Sequence, residues 1–139
     1  MEFNKEGNIL VAKLDHGTDL FETLLGIMEK IEETSGVVIS GIGMIENFKL
    51  GYYNSNTGQY DWKEYQEPME LLSLKGSITE EGSIHIHAQV ADEDHKSHGG
   101  HLDNGNIYNV GELTMLVFKD MKLKRKRDED RQMDLLSVE

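Results

Sequence analysis

The spacing of hydrophobic and polar positions changes several times along the chain. Asn8 to Leu14 is apolar and β-branched enough for an early strand, which Asp15-His16-Gly17-Thr18 interrupts. Leu20, Phe21, Leu24, Leu25, Ile27, Met28 and Ile31 then recur at helical spacing and predict one long helix with a wide apolar stripe facing the core. Asp19, three residues before Glu22, supplies a capping signal at its start, and Gly36 is the expected stop. After Gly36 the period shortens to two. Residues 37–42, 47–53, 59–65, 70–78, 83–91 and 108–118 read as strands, with Asn54 to Gly58 and Thr79 to Gly82 as short, Gly-ended hairpin connections. The order β-α-β-β-β-β-β-β predicts an α+β fold with a mainly antiparallel sheet and one principal helix.

Leu113-Thr114-Met115-Leu116-Val117-Phe118 is apolar on both alternating faces, as in a strand covered from both sides. One helix covers only one face of such a sheet. A second subunit lies against the other face, or the sheet curls over itself; the first alternative predicts a homo-oligomer.

Ser83 to Val90 carries the chemistry. Ile84, Ile86, Ala88 and Val90 alternate with His85, His87 and Gln89, so a strand here sends its aliphatics to the core and both imidazoles to the opposite face. Their Cα atoms are then about 7 Å apart, within reach of one divalent ion. Asp92, Asp94, His95, His98 and His101 follow closely, and His101 stands behind the Gly99-Gly100 turn. Three imidazoles without thiolates favour zinc or a similar late first-row ion, with a fourth position open to water or a small ligand. Gln89, or Glu112 from the next strand, is the expected outer acceptor for a ring N–H. The competing reading leaves His95 and His98 in solvent and has His85 and His87 bonded to neighbours across the sheet.

The 139-residue length fits one domain. We divide it into a domain over 1–128 and a charged C-terminal tail over 129–139. There is no Cys, hence no disulfide and no thiolate ligand. The N-terminal residues carry no export signal and no run is apolar enough to span a membrane, so the expected compartment is the cytoplasm. Against 14 Lys and Arg stand 26 Asp and Glu, a formal net charge of −12. That balance lacks the basic footprint of nucleic-acid binding. Lys122, Lys124, Arg125, Lys126 and Arg127 run the other way, but Asp128-Glu129-Asp130 follows at once and predicts a self-neutralising tail. No complete dinucleotide fingerprint, Walker loop or nucleophile elbow occurs, and a cupin motif lacks its proline-containing partner.

Ser40-Gly41-Ile42-Gly43-Met44, Leu50-Gly51-Tyr52-Tyr53-Asn54, Glu70 to Ile78, His85-Ile86-His87, Gly99-Gly100-His101-Leu102 and Glu112 occur in an order that resembles the PPC domain, the plant and prokaryote conserved domain. The likeness runs from about Gly7 to Asp128. It implies an antiparallel sheet with one long helix assembled as a homotrimer, and a bound metal with His85, His87 and His101 as ligands. The family also implies DNA binding by analogy, since plant members carry the domain beside AT-hooks; no Arg-Gly-Arg-Pro occurs here. The expected function is a trimeric, metal-holding binding module of unknown ligand, with a small ligand as one candidate partner beside the chain itself. The alternatives are a DNA-binding protein and a metal-dependent hydrolase using Asp103 or Glu112 as base.

Overall fold

The structure, a computed structural model, describes residues 1–139. Eleven strands and one helix follow the order β1 (Glu2–Glu6), β2 (Ile9–Asp15), α1 (Leu20–Lys30), β3 (Ser35–Glu46), β4 (Phe48–Asn54), β5 (Gln59–Tyr65), β6 (Met69–Ile78), β7 (Ile84–Ala91), β8 (Ser97–Leu102), β9 (Asn106–Phe118), β10 (Leu123–Asp128) and β11 (Met133–Val138). The first nine strands form one sheet in the order β1-β2-β9-β3-β6-β7-β8-β4-β5, and β10-β11 form a separate hairpin. Every pairing is antiparallel. This is the α+β architecture the periodicity predicts. No helix is long and apolar enough to cross a membrane.

The helix starts where expected, with the Asp19 carboxylate accepting from Glu22 N–H at 2.9 Å. Its end differs. Glu32 takes the left-handed conformation (φ 58°), donating to the Glu29 carbonyl while Glu33 donates to that of Met28. This pair of bonds is a Schellman closure and needs no glycine. Gly36 instead lies in β3, where a Cβ would stand 2.9 Å from the Leu116 carbonyl oxygen.

Leu20, Leu24, Ile27 and Met28 of α1 join one continuous core with the inner face of the sheet. Register fixes the rows of that face: Leu10, Met115 and Val38 lie side by side across β2, β9 and β3, as do Ala12, Leu113 and Gly41. The outer row is Ile9, Leu116, Val37, then Ser77 of β6 and His85 of β7. The outer face keeps large apolar residues in solvent, among them Ile9 at 49%, Val11 at 54% and Ile42 at 48% exposure. The doubly apolar strand β9 is accordingly buried inward at Leu113, Met115 and Val117 and only half covered outward at Thr114, Leu116 and Phe118.

Two features of the topology are additions to the sequence reading. Asn106–Phe118 pairs with β2 and β3, not with the His-bearing strand that precedes it. Residues 129–139, expected as a tail, turn back at Gln132 so that β11 pairs with β10 from Leu123 to Asp128. Three members of the basic run are neutralised from within this hairpin: Lys124 and Lys126 bind the Glu139 carboxylate at 2.8 and 2.5 Å, and Arg127 reaches Asp134 at 3.7 Å. Leu123 is buried, donates from its N–H to Ser35 Oγ at 3.0 Å and accepts from Glu80 N–H at 2.9 Å, which docks the hairpin on the main sheet.

Candidate metal centre

Strand alternation places the two imidazoles as expected. Ile86, Ala88 and Val90 are buried on the core side, while His85 is half-buried and His87 exposed on the other. His87 pairs directly with His101 of β8, and His85 precedes it by two residues on the same strand. The three rings converge. Each offers one ring nitrogen, and these three atoms lie within 4.8 Å of one another. His85 Nε2 and His87 Nε2 are 3.2 Å apart. Two nitrogen donors of a tetrahedral zinc ion, each about 2.0 Å from it, are about 3.3 Å apart, so the donor set fits a single small divalent ion.

Glycines make this approach possible. At Gly100 a Cβ would stand 2.6 Å from the Gly51 carbonyl oxygen, so β8 lies against β4 only because that side chain is missing. Gly51 pairs with both His101 and Trp62. A Cβ there would meet the Trp62 ring at 2.7 Å and the Tyr60 ring at 2.9 Å. The space it leaves admits both rings beside the imidazole. Tyr60 lies 4.8 Å and Trp62 5.8 Å from His101 between ring centres. Tyr60 Oη is 3.4 Å from His101 Nδ1, which leaves Nε2 as the unpartnered nitrogen.

Burial favours the neutral form of two of the three imidazoles, His85 and His101. Burial pushes His85 down from 6.5 to about 4, and the Arg125 guanidinium and the other two rings act in the same direction. Burial also lowers His101, followed by the effect of His87, with Asp103 opposing. The folded pKa of His85 lies below its unfolded value. Its contribution to stability is therefore complete above pH 6.5 and is lost as pH falls toward 4, where the unfolded chain takes up the proton first. In chelator-treated protein, Tm is expected to fall more steeply between pH 6.5 and 4 than in His85→Gln, as scanning calorimetry at several pH values would register.

The other sequence candidates lie elsewhere. Gln89 shares the strand face but donates to Ser97 Oγ at 3.0 Å, away from the imidazoles. Glu112 pairs with Lys13 and Ile42 on the outer face of β9, and β3 and β6 separate it from β7. It is neither an outer acceptor nor a base for this cluster. The expectation took β9 as the sheet neighbour of the His strand because it comes next in sequence; the crossover places it between β2 and β3 instead. His98 Nε2 is 2.7 Å from Asp92 Oδ2, and His95 is an exposed turn residue with φ 61°. His16 Nδ1 accepts from Asn109 N–H. The sequence reading missed Tyr60 and Trp62, although their alternation in β5 marks one aromatic face, and it assigned Arg125 to the tail.

The Plants and Prokaryotes Conserved (PCC) domain model matches residues 1–119. The bifunctional protein GlmU of Synechococcus sp. strain JA-2-3B'a(2-13) is 29% identical over 121 residues, covering 86% of this chain. The chain spans only 18% of the length of that relative. Among solved structures, a protein of Bacteroides thetaiotaomicron VPI-5482 provisionally described as DNA-binding superposes with a TM-score of 0.88 at 25% identity, covering 98% of this chain and 96% of its own. A metal-containing protein of Archaeoglobus fulgidus gives 0.80 at 26% identity, covering 97% of both chains. A plant- and prokaryote-conserved (PPC) protein of Pyrococcus horikoshii shares the fold, with a TM-score of 0.81 at 22% identity and coverage of 98% and 94%. By its matched residues and its fold, the chain belongs to the Plants and Prokaryotes Conserved domain family.

Proposed function

We propose that this chain is a metal-holding PPC-domain binding module that works as a homotrimer in the cytoplasm, with His85, His87 and His101 holding one divalent ion, zinc or a close relative. The convergence of three imidazole nitrogens from adjacent strands carries the reading. The metal content of the Archaeoglobus relative supports it. A zinc ion in a three-His set with an open position acts as a Lewis acid and lowers the pKa of bound water to near neutrality. The chain's own part is to favour neutral His85 and His101 by burial and to orient His101 through Tyr60. Elemental analysis of the purified protein is expected to give about one ion per chain, and the His85→Ala/His87→Ala variant none. Equal metal content in the two would remove these residues from the site.

The outer face supports the trimer. Ile9, Val11, Ile39, Ile42 and Leu72 are large apolar side chains left in solvent by the single chain, a pattern that marks subunit contact. Light scattering is expected to give three times the 15.8 kDa chain mass, and a monomer would contradict the assembly. DNA binding, the description of the Bacteroides relative, finds less support here. The net charge is −12, and Lys124, Lys126, Arg127 and Arg131 are already paired with carboxylates.

A further inference from the structure

The hairpin β10-β11 lies beyond the residues that the family model matches, yet it completes the site. An open cleft of about 520 Å³ runs from His85 and His101 to Arg125 and Met133, with Tyr53 and Tyr60 on its wall. Within the basic run Lys122 and Arg125 hold no carboxylate; Lys122 Nζ donates instead to Thr34 Oγ1 and the Lys119 carbonyl, outside the cleft, which leaves Arg125 as the unpaired cation that lines it. Lys124, Lys126, Arg127 and Arg131 each hold a carboxylate, whereas Arg125 pairs with none. Its one side-chain bond runs from Nη2 to Ser77 Oγ at 3.1 Å. Ser77 is the cross-strand neighbour of His85, so this bond holds the guanidinium over the imidazole cluster. The acidic residues of the cleft leave it without a counter-charge: Asp134 is engaged by Arg127 at 3.7 Å, and Glu81 forms no ion pair with it.

A half-buried guanidinium without a counter-charge, beside a cluster suited to a cation, places two like charges together. Such an arrangement costs free energy unless an anion lies between them. A carboxylate fits that role. Its two oxygens match the planar donors of arginine. The acidic rim and the net charge of −12 disfavour a doubly charged oxyanion. Tyr53, Ile84 and Met133 offer apolar surface to the body of the ligand.

We propose that Arg125 is the ligand-selecting residue of this chain and takes a small organic monocarboxylate between its guanidinium and the His85–His87–His101 cluster. The proposal rests on the metal reading, and the test separates the two. The full-length protein is loaded with cobalt, its visible absorption is recorded, and it is titrated in separate arms with benzoate and with inorganic phosphate. The wild type is expected to show a saturable change of the cobalt bands with benzoate, at lower concentration than with phosphate. Arg125→Gln is expected to bind the same amount of cobalt but to need tenfold to a hundredfold more benzoate, in line with the loss of a charge-assisted hydrogen bond, and Arg125→Lys to recover part of the difference. Bands that ignore benzoate, or that respond equally in Arg125→Gln, would overturn the proposal and leave the metal reading intact. Tighter binding of phosphate would overturn the choice of a monocarboxylate. Absence of cobalt bands would remove the metal reading and this proposal together.

Discussion

Gly76→Ala is expected to lower stability by about 3 kcal/mol and Tm by roughly 10 °C. Gly76 sits in β6 between Val38 of β3 and Ile86 of β7. A Cβ at this position would stand 2.0 Å from the His85 carbonyl oxygen and 2.7 Å from the Ile86 Cα. Both are backbone atoms, so no rotamer change relieves the overlap and the ladder itself must open. The strand that would move carries two of the three imidazoles. Thermal unfolding should therefore show the loss of stability together with a lower metal content per folded chain. A variant as stable as the wild type would mean that β6 and β7 are further apart than described.

The second large effect is expected from Ile86→Ala, which should cost about 2–5 kcal/mol. Ile86 is fully buried between His85 and His87 in sequence but faces the opposite side of the sheet. Truncating it leaves a cavity in the core and leaves the imidazole face chemically intact. Urea unfolding should show a lower midpoint, while metal content at a temperature where the variant is folded stays at the wild-type value. The His85→Ala/His87→Ala variant should behave in the reverse way, losing metal while keeping most of the stability of the metal-free protein. Parallel losses in both variants would mean that the two faces of β7 do not act independently.

Much of this arrangement is legible in the amino-acid sequence because it rests on local periodicity. The period-two run from Ile84 to Val90 assigns its residues to the core and to the site, whereas Gly99-Gly100, expected as a turn, lies within strand β8, whose pairing with β7 brings in the third imidazole. The helix stripe and its Asp19 cap are equally local. What escapes is set by pairing at long range. Glu112 is misassigned because nothing near it in the chain reports that β9 inserts between β2 and β3. The left-handed Glu32 ends the helix where Gly36, about one turn later, looked the better stop, since backbone hydrogen bonds there outweigh residue preference. Arg125 escapes because its neighbours are all charged and read as a solvated run. Only the docking of Leu123 against Ser35 brings it over Ser77 and His85.

The insertion of β9 also bears on how fast the molecule forms. The N-terminal strands β1 and β2 join the rest of the sheet solely through β9, whose residues come about a hundred positions later in the chain. Contact order is consequently high, a property that places folding in the millisecond-to-second range. The β7-β8 hairpin that brings the imidazoles together is, by contrast, closed over a short loop, so it can assemble early while the N-terminal strands still wait for β9 to join them to the sheet.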